Sequence, residues 1–356
     1  MTIDYEKLQD APRLLLEAKL KPLQGHRFQP TGFPDLGPAR YTLPGGTEML
    51  LVESAQSVAN RMELACWDAA AQDLIADLRG LPYIKIVDAN GGHLSNSLLE
   101  AHRINSEYVM KESRRVTTTN GQRKLIAKSF NEELAAEIGY EKVRPVDWKK
   151  FHASLFKYDP STLIHGCFLE EIGGRLRVTR VLSGFVEASG IAVAESGGVK
   201  NNIVQPELKG GEGNVPFHRT EFVGNEITAY FNLDLALLRG YGFPDEATRL
   251  LIALSLFKVR RFLSTGLRLR TACDLEVDGS VIVTRPIGFQ VPSDETALLA
   301  EVSGLVGKCA KVGLFSDPAI TEVVWKPAKK KAEAKKAEDS NQTGDEHGAD
   351  EEGNDE

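Results

Sequence analysis

The hydrophobic period of the chain changes at Gly266. Before it, residues 244–266 (PDEATRLLIALSLFKVRRFLSTG) set Leu250, Leu251, Leu254, Phe257 and Leu263 at helical spacing. After it, residues 267–277 (LRLRTACDLEV) alternate, with Leu267 and Leu269 on one face and Arg268 and Arg270 on the other. A helix that must bury one side, followed at once by a strand that must bury one face, restricts the chain to folds in which helices cover a sheet.

The same mixture runs through residues 13–325. RLLLEAKLKPL (13–23) reads as a strand stopped by Pro22. A Gly/Pro-rich loop, 24–46, follows and is longer than an ordinary connection. Residues 49–70 read as a helix with Leu51, Ala55, Val58, Met62 and Ala65 near one face; 81–88 read as a strand, and 122–139 as a helix closed by Gly139. Beyond 160 the pattern turns β-rich: 173–188 alternate, 195–222 form a Gly-, Asn- and Pro-rich excursion, and 225–238 read as a strand. The helix at 244–266 has an acidic first turn and a basic last turn, as its dipole favours. A helix at 293–313 with Ser293 as N-cap and a strand at 320–325 complete the body. The expected class is α+β, one sheet with helices on one face and the other face free. The RNA recognition motif has this architecture, as do other α+β folds.

Charge is distributed unevenly. The net charge is -7, but residues 326–356 hold 6 Lys against 10 acidic groups, leaving 37 basic and 40 acidic groups in the body. That tail carries almost no large apolar side chain and is expected to be disordered, most simply as a solubilising tail. Local clusters therefore decide partners more than the total does. Lys258, Arg260, Arg261, Arg268 and Arg270 fall within 257–271 with no acidic residue between them. Arg175, Arg177 and Arg180 form a second cluster, and Lys200, Asn201, Asn202, Lys209, His218 and Arg219 a third on a Gly-rich frame. Unbalanced arginines repel one another, and a polyanion relieves that repulsion through bidentate bonds. The bland alternative is that the helix arginines cap their helix and the strand arginines line a solvated face. Phe217 or Phe222 could stack on a base or anchor the excursion to the core.

Cysteines 66, 167, 273 and 309 are scattered with mostly apolar flanks, which predicts buried thiols in a reducing compartment. With no apolar N-terminal segment of signal-peptide type and no long apolar run, a cytoplasmic chain without a membrane partner is expected. The seven histidines show no H-x-H or H-E-x-x-H spacing, and there is no phosphate-loop motif, so no metal or other cofactor is implied. His165 and His218 are catalytic candidates by residue type only.

Several long strings together resemble one family: KLKPLQGHRFQPTGFPDLGPARY, LLVESAQSVANRMELACWD, TLIHGCFLEEIGGRLRVTRVLSGFVEA, GNVPFHRTEF, ITAYFNLDLALLRGYG and LFKVRRFLSTGLRLRTACDLE. They are similar to the backbone protein of type I-G (formerly I-U) CRISPR complexes, a member of the seventh CRISPR-associated protein family, over roughly residues 10–325.

That resemblance implies a hand-like subunit over 1–325: an RNA-recognition-motif (ferredoxin-like) palm, finger insertions, and a β-hairpin thumb near 195–222. It implies copies stacked along a CRISPR RNA, which pairs with target DNA, beside a large subunit and a subunit that processes and caps the RNA. It places Gln24, Arg27 and Gln29 in an RNA-gripping loop. Ser54, Ser57, Asn60 and Arg61 would lie on an RNA-gripping helix. The arginines of 257–271 would then line the palm. Related subunits of type III complexes cut RNA with a thumb aspartate, but 195–222 contains no Asp, so a non-catalytic role is expected. An RNA-cleaving subunit or a metal-dependent nuclease is the alternative.

Overall fold

The structure is a computed structural model that describes residues 2–33, 35–111, 113–119, 122–174, 176–202 and 213–325. The expectation of a disordered tail at 326–356 lies outside these residues, as does Arg175.

Strand β1 (Arg13–Pro22) begins the main sheet, with Leu14, Leu16, Ala18 and Leu20 buried at period two. Next come β2 (Glu48–Glu53), α1 (Ala55–Leu64) and β3 (Tyr83–Val87). They are followed by β4 (Arg114–Thr119), α2 (Phe130–Ile138), α3 (Trp148–Tyr158) and α4 (Pro160–His165). A short hairpin, β5 (Cys167–Leu169) and β6 (Leu176–Val178), leads into β7 (Leu182–Ser189). A long hairpin, β8 (Ala192–Asn202) and β9 (Gly213–Val223), precedes β10 (Glu226–Asp234) and the 21-residue α5 (Asp245–Thr265). The chain closes with β11 (Arg268–Arg270), β12 (Cys273–Val277), β13 (Ile282–Arg285), α6 (Glu295–Lys311) and β14 (Ile320–Val324).

The main sheet runs β11-β12-β1-β10-β7-β2, with the short strand Arg40–Thr42 on the β2 edge and β13 also pairing with β1. All of its pairings are antiparallel: Leu16 faces Phe231 across β1 and β10, and Phe185 faces Tyr230 across β7 and β10. Helices α1 and α5 pack on one face, α1 against β7 and α5 against β12. Gly184 on β7 is required by this packing, because a Cβ there would fall 2.6 Å from the Phe231 ring.

The mixed α+β class is as expected, and several local expectations are corrected. There are two main sheets rather than one: β4, β14 and β3 form the middle of a second, in which β14 and β3 are parallel. The stretch 49–70 divides into β2 and α1 because Met49–Glu53 pair with β7, and Ser54 caps the helix by accepting from the Ser57 N–H at 3.3 Å. Residues 122–139 divide likewise into the strand Gln122–Leu125 and α2, which starts from a Ser129–Glu132 capping box and ends at left-handed Gly139. Residues 267–277 form a tight hairpin that turns at Ala272 (φ 62°). The N-cap of α6 is Asp294, not Ser293, and the last turn of α5 carries no basic residue.

The largest correction concerns α5. It is apolar nearly all round, because the sheet lies on one side and α4 and α6 lie against it elsewhere. Lys258 is therefore fully buried rather than part of a basic surface. Phe222 is also buried, bridged by two backbone hydrogen bonds to Phe28, so it anchors the hairpin base and does not stack on a base.

Candidate nucleic-acid interface

Four separate segments meet at the β11 edge of the main sheet. The loop residue Gln29 donates its N–H to the Ala272 carbonyl at 2.8 Å, and the Phe28 bridge ties the same loop to β9. Arg270 Nη1 donates to the Gln29 and Val52 carbonyls at 2.9 and 3.1 Å, and its Nη2 pairs with Glu53. Arg61 reaches from α1 to the Arg268 and Leu269 carbonyls, with its Nε 3.8 Å from Glu53. Across the loop, Arg27 lies 3.0 Å and Arg219 3.5 Å from the buried Glu221 carboxylate. Arg268 is exposed and its side chain has no partner among the described residues.

Four arginines (27, 61, 219 and 270) thus gather around two carboxylates, Glu53 and Glu221, and exposed Arg268 lies on the same strand as Arg270. The expectation of unbalanced arginines in 257–271 is corrected here: the balancing acids come from β2 and β9, distant in sequence. Arg61 and Arg270 serve as struts of the site, while Arg27 and Arg268 present charge to solvent. Gln24 and His218 are exposed in the same loop and hairpin, and Ser57 is half-buried. Asn60 turns inward, accepting from Gln56 at 3.0 Å and from Arg103 at 3.4 Å. The side chains of Lys200 and Asn201 lie outside the described residues, although their backbone continues β8. Arg260 and Arg261 are turned to the start of α6, where they bind the Ser293 carbonyl and Glu295, each at 2.7 Å.

Arg177 and Arg180 of the second cluster line a separate cleft of about 890 Å³ between α1, the turn at Arg103–Asn105 and the β5–β6 hairpin. The Arg177 guanidinium lies over the Phe168 ring at 4.5 Å. Arg180 is fixed by bonds to the His165 carbonyl at 3.1 Å and Gln56 Oε1 at 2.8 Å.

Beneath this cleft is a buried charged cluster that sequence reasoning missed. Lys258 donates to Ser161 at 3.0 Å and contacts His165 Nε2 at 3.1 Å. Arg103 binds Glu63 through two contacts of 3.0 and 2.7 Å. Burial pushes the Glu63 carboxyl up to about 7, against the pull of the Arg103 and Lys258 charges, and burial also raises Asp159. Burial and the Lys258, Arg103 and Arg180 charges hold His165 well below the ordinary histidine range. His165 is therefore a neutral interior ring. No periodic signal marks Arg103, whereas Glu53 and Glu63 could have been flagged as carboxylates at apolar-spaced positions. Among the described residues, no group of three or more His, Cys, Asp or Glu is placed to hold a metal ion. Nor is any helix there long and apolar enough to cross a membrane.

The chain belongs to the family described as CRISPR-associated protein GSU0053, whose model matches residues 14–193, half of the chain. No curated protein matches it. Among solved structures, a chain of a "CRISPR RNA-guided surveillance complex, pre-nicking" is similar at 15% identity and TM-score 0.38, over 84% of this chain and 89% of that one. A chain of another "CRISPR RNA-guided surveillance complex" is similar at 16% identity and TM-score 0.37, over 85% of each chain. Thermofilum pendens Csc2 is similar at 11% identity and TM-score 0.29, over 87% of this chain and 80% of that one.

Proposed function

We propose that this chain is a non-catalytic backbone subunit of a CRISPR RNA-guided complex, which holds the guide RNA while the guide pairs with target DNA. Membership in a CRISPR-associated family is the observation that carries this reading. The order β12-β1-β10-β7 supports a ferredoxin-like palm. With α1 after β1 and α5 after β10, these strands read 4-1-3-2 in a β-α-β-β-α-β unit. On this reading the β8–β9 hairpin, inserted between β7 and β10, is the thumb, and the segment between α1 and β7 supplies the fingers. The palm arginines grip phosphate, so sequence is read by base pairing and not by the protein. Copies of the chain would line the RNA beside a large subunit and an RNA-processing, capping subunit. The burial of His165 against Lys258 favours a scaffold over a nuclease that uses this histidine.

The test is to co-express the chain with its CRISPR array and neighbouring subunits, purify through a tag, and size the bound nucleic acid. A discrete guide-length RNA protected by several copies of the chain is expected. An intact assembly free of RNA would sink the proposal.

A further inference from the structure

We infer that the cleft between α1, the Arg103–Asn105 turn and the β5–β6 hairpin seats one nucleotide of the single-stranded RNA. Its base would lie on the Phe168–Arg177 pair and its phosphate on Arg180. This inference rests on the proposed RNA-binding function and adds a site separate from the arginine cluster around Glu53.

The cleft has the size and chemistry for such a guest. Its volume of about 890 Å³ falls within the range of small-molecule sites, so it holds a nucleotide but not a folded partner. The Arg177 guanidinium already sits 4.5 Å over the Phe168 ring, and a guanidinium held against an aromatic ring offers its outer side to a base of any sequence. Arg180 is held by the His165 carbonyl and by Gln56, which fixes its plane and leaves its other donors for an anion. Arg103 is buried against Glu63, whereas Arg177 and Arg180 line the cleft without a carboxylate partner among the described residues. The same cleft is also lined by Glu107, Glu170 and Glu171, with Lys111 paired to Glu107 and 3.9 Å from Glu171. A continuous run of phosphates would be repelled there, which limits the site to a single nucleotide.

Two details of the cleft floor agree with a built site. Gly166 (φ 76°) lets the hairpin neck close, because a Cβ there would fall 2.8 Å from the Val178 carbonyl. Lys258 has only hydrogens to donate, so His165 Nε2 must accept, and the neutral ring carries its proton on Nδ1. That buried Nδ1 has no partner among the described residues, and His165 lines the cleft. A buried ring donor is thus left without a partner in the floor of the cleft.

The experiment uses the assembled complex, purified from cells whose guide RNA carries 4-thiouridine, irradiated at long wavelength and digested for mass spectrometry. A uridine adduct within residues 165–180 is expected, with its yield lowered about tenfold by the double substitution Phe168→Ala, Arg177→Ala. Both side chains lie outside the core, so the fold should survive. Bound RNA with adducts only in other segments, or an adduct yield indifferent to the double substitution, overturns this site and leaves the proposed function standing. A complex without RNA overturns both.

Discussion

His165 shows how a single buried residue ties stability to pH. Its ordinary pKa is 6.5, and in the fold it stays neutral well below that. Below pH 6.5 the unfolded chain therefore takes up a proton at this position that the folded chain refuses, and this contribution to stability falls as pH falls. The raised carboxyls Glu63 and Asp159 act in the opposite sense, losing stability as pH rises through their shifted range, so the wild-type profile is muted. A double difference isolates the histidine. His165→Gln, which keeps an acceptor for Lys258, should gain on wild type as pH is lowered from about 7.5 to about 5.5, by up to ~1.4 kcal/mol per pH unit. Parallel melting curves for the two chains across that window would show that His165 does not titrate as described. Two neighbouring arginines make a second contrast at the same scale. Arg270→Ala removes a partner from buried Glu53 and should lower the melting temperature. Arg268→Ala removes an exposed cation and should change stability by no more than about 0.5 kcal/mol while weakening RNA binding. Equal melting shifts for the two would refute the division into strut and contact.

At the scale of elements, one buried side chain, Lys258, ties α5 to α4. It does so by way of Ser161 and His165, close enough to Glu63 and Asp159 to offset their charges. Lys258→Met keeps the volume but strands those carboxylates, and breaking such a buried arrangement costs about 3–5 kcal/mol. Unchanged chemical denaturation of that variant would mean the cluster carries no net load. Gly184→Ala tests the sheet in the same way: the Phe231 ring must move, at about 1–3 kcal/mol. The ends of β1, β3 and α5 were legible because one periodicity ran through each without interruption. The division of 49–70 was not, since Leu51, Ala55 and Val58 also fit a helical stripe, and pairing with the distant β7 settles Met49–Glu53 as strand. The site was legible in part. Period two correctly set Arg268 and Arg270 opposite Leu267 and Leu269. That Glu53 claims Arg270, that Glu295 claims Arg261, and that Lys258 is buried all depend on contacts between residues far apart in sequence.

At the scale of the whole molecule, the proposed binding of a polyanion works against the long-range field of a chain of net charge -7. Cations are concentrated locally, with Arg27, Arg61, Arg219 and Arg270 around Glu53 and Glu221, exposed Arg268 beside Arg270 on the same strand, and Arg177 and Arg180 at the second cleft. Attraction then acts over a Debye length of about 8 Å at physiological salt, so the site governs binding and the distant acids are screened. Binding of a guide-length single-stranded RNA should therefore weaken with salt, with a log-log slope of about -0.7 for each phosphate neutralised. If Arg268 and Arg180 each neutralise one phosphate, Arg268→Ala should flatten the slope by about 0.7 and the pair Arg268→Ala, Arg180→Ala by about 1.4, alike for every RNA sequence. A change in sequence preference at constant slope would assign these side chains to bases. A slope unmoved by either substitution would place the phosphates elsewhere on the molecule, and the gathered arginines would then serve contact between copies of the chain.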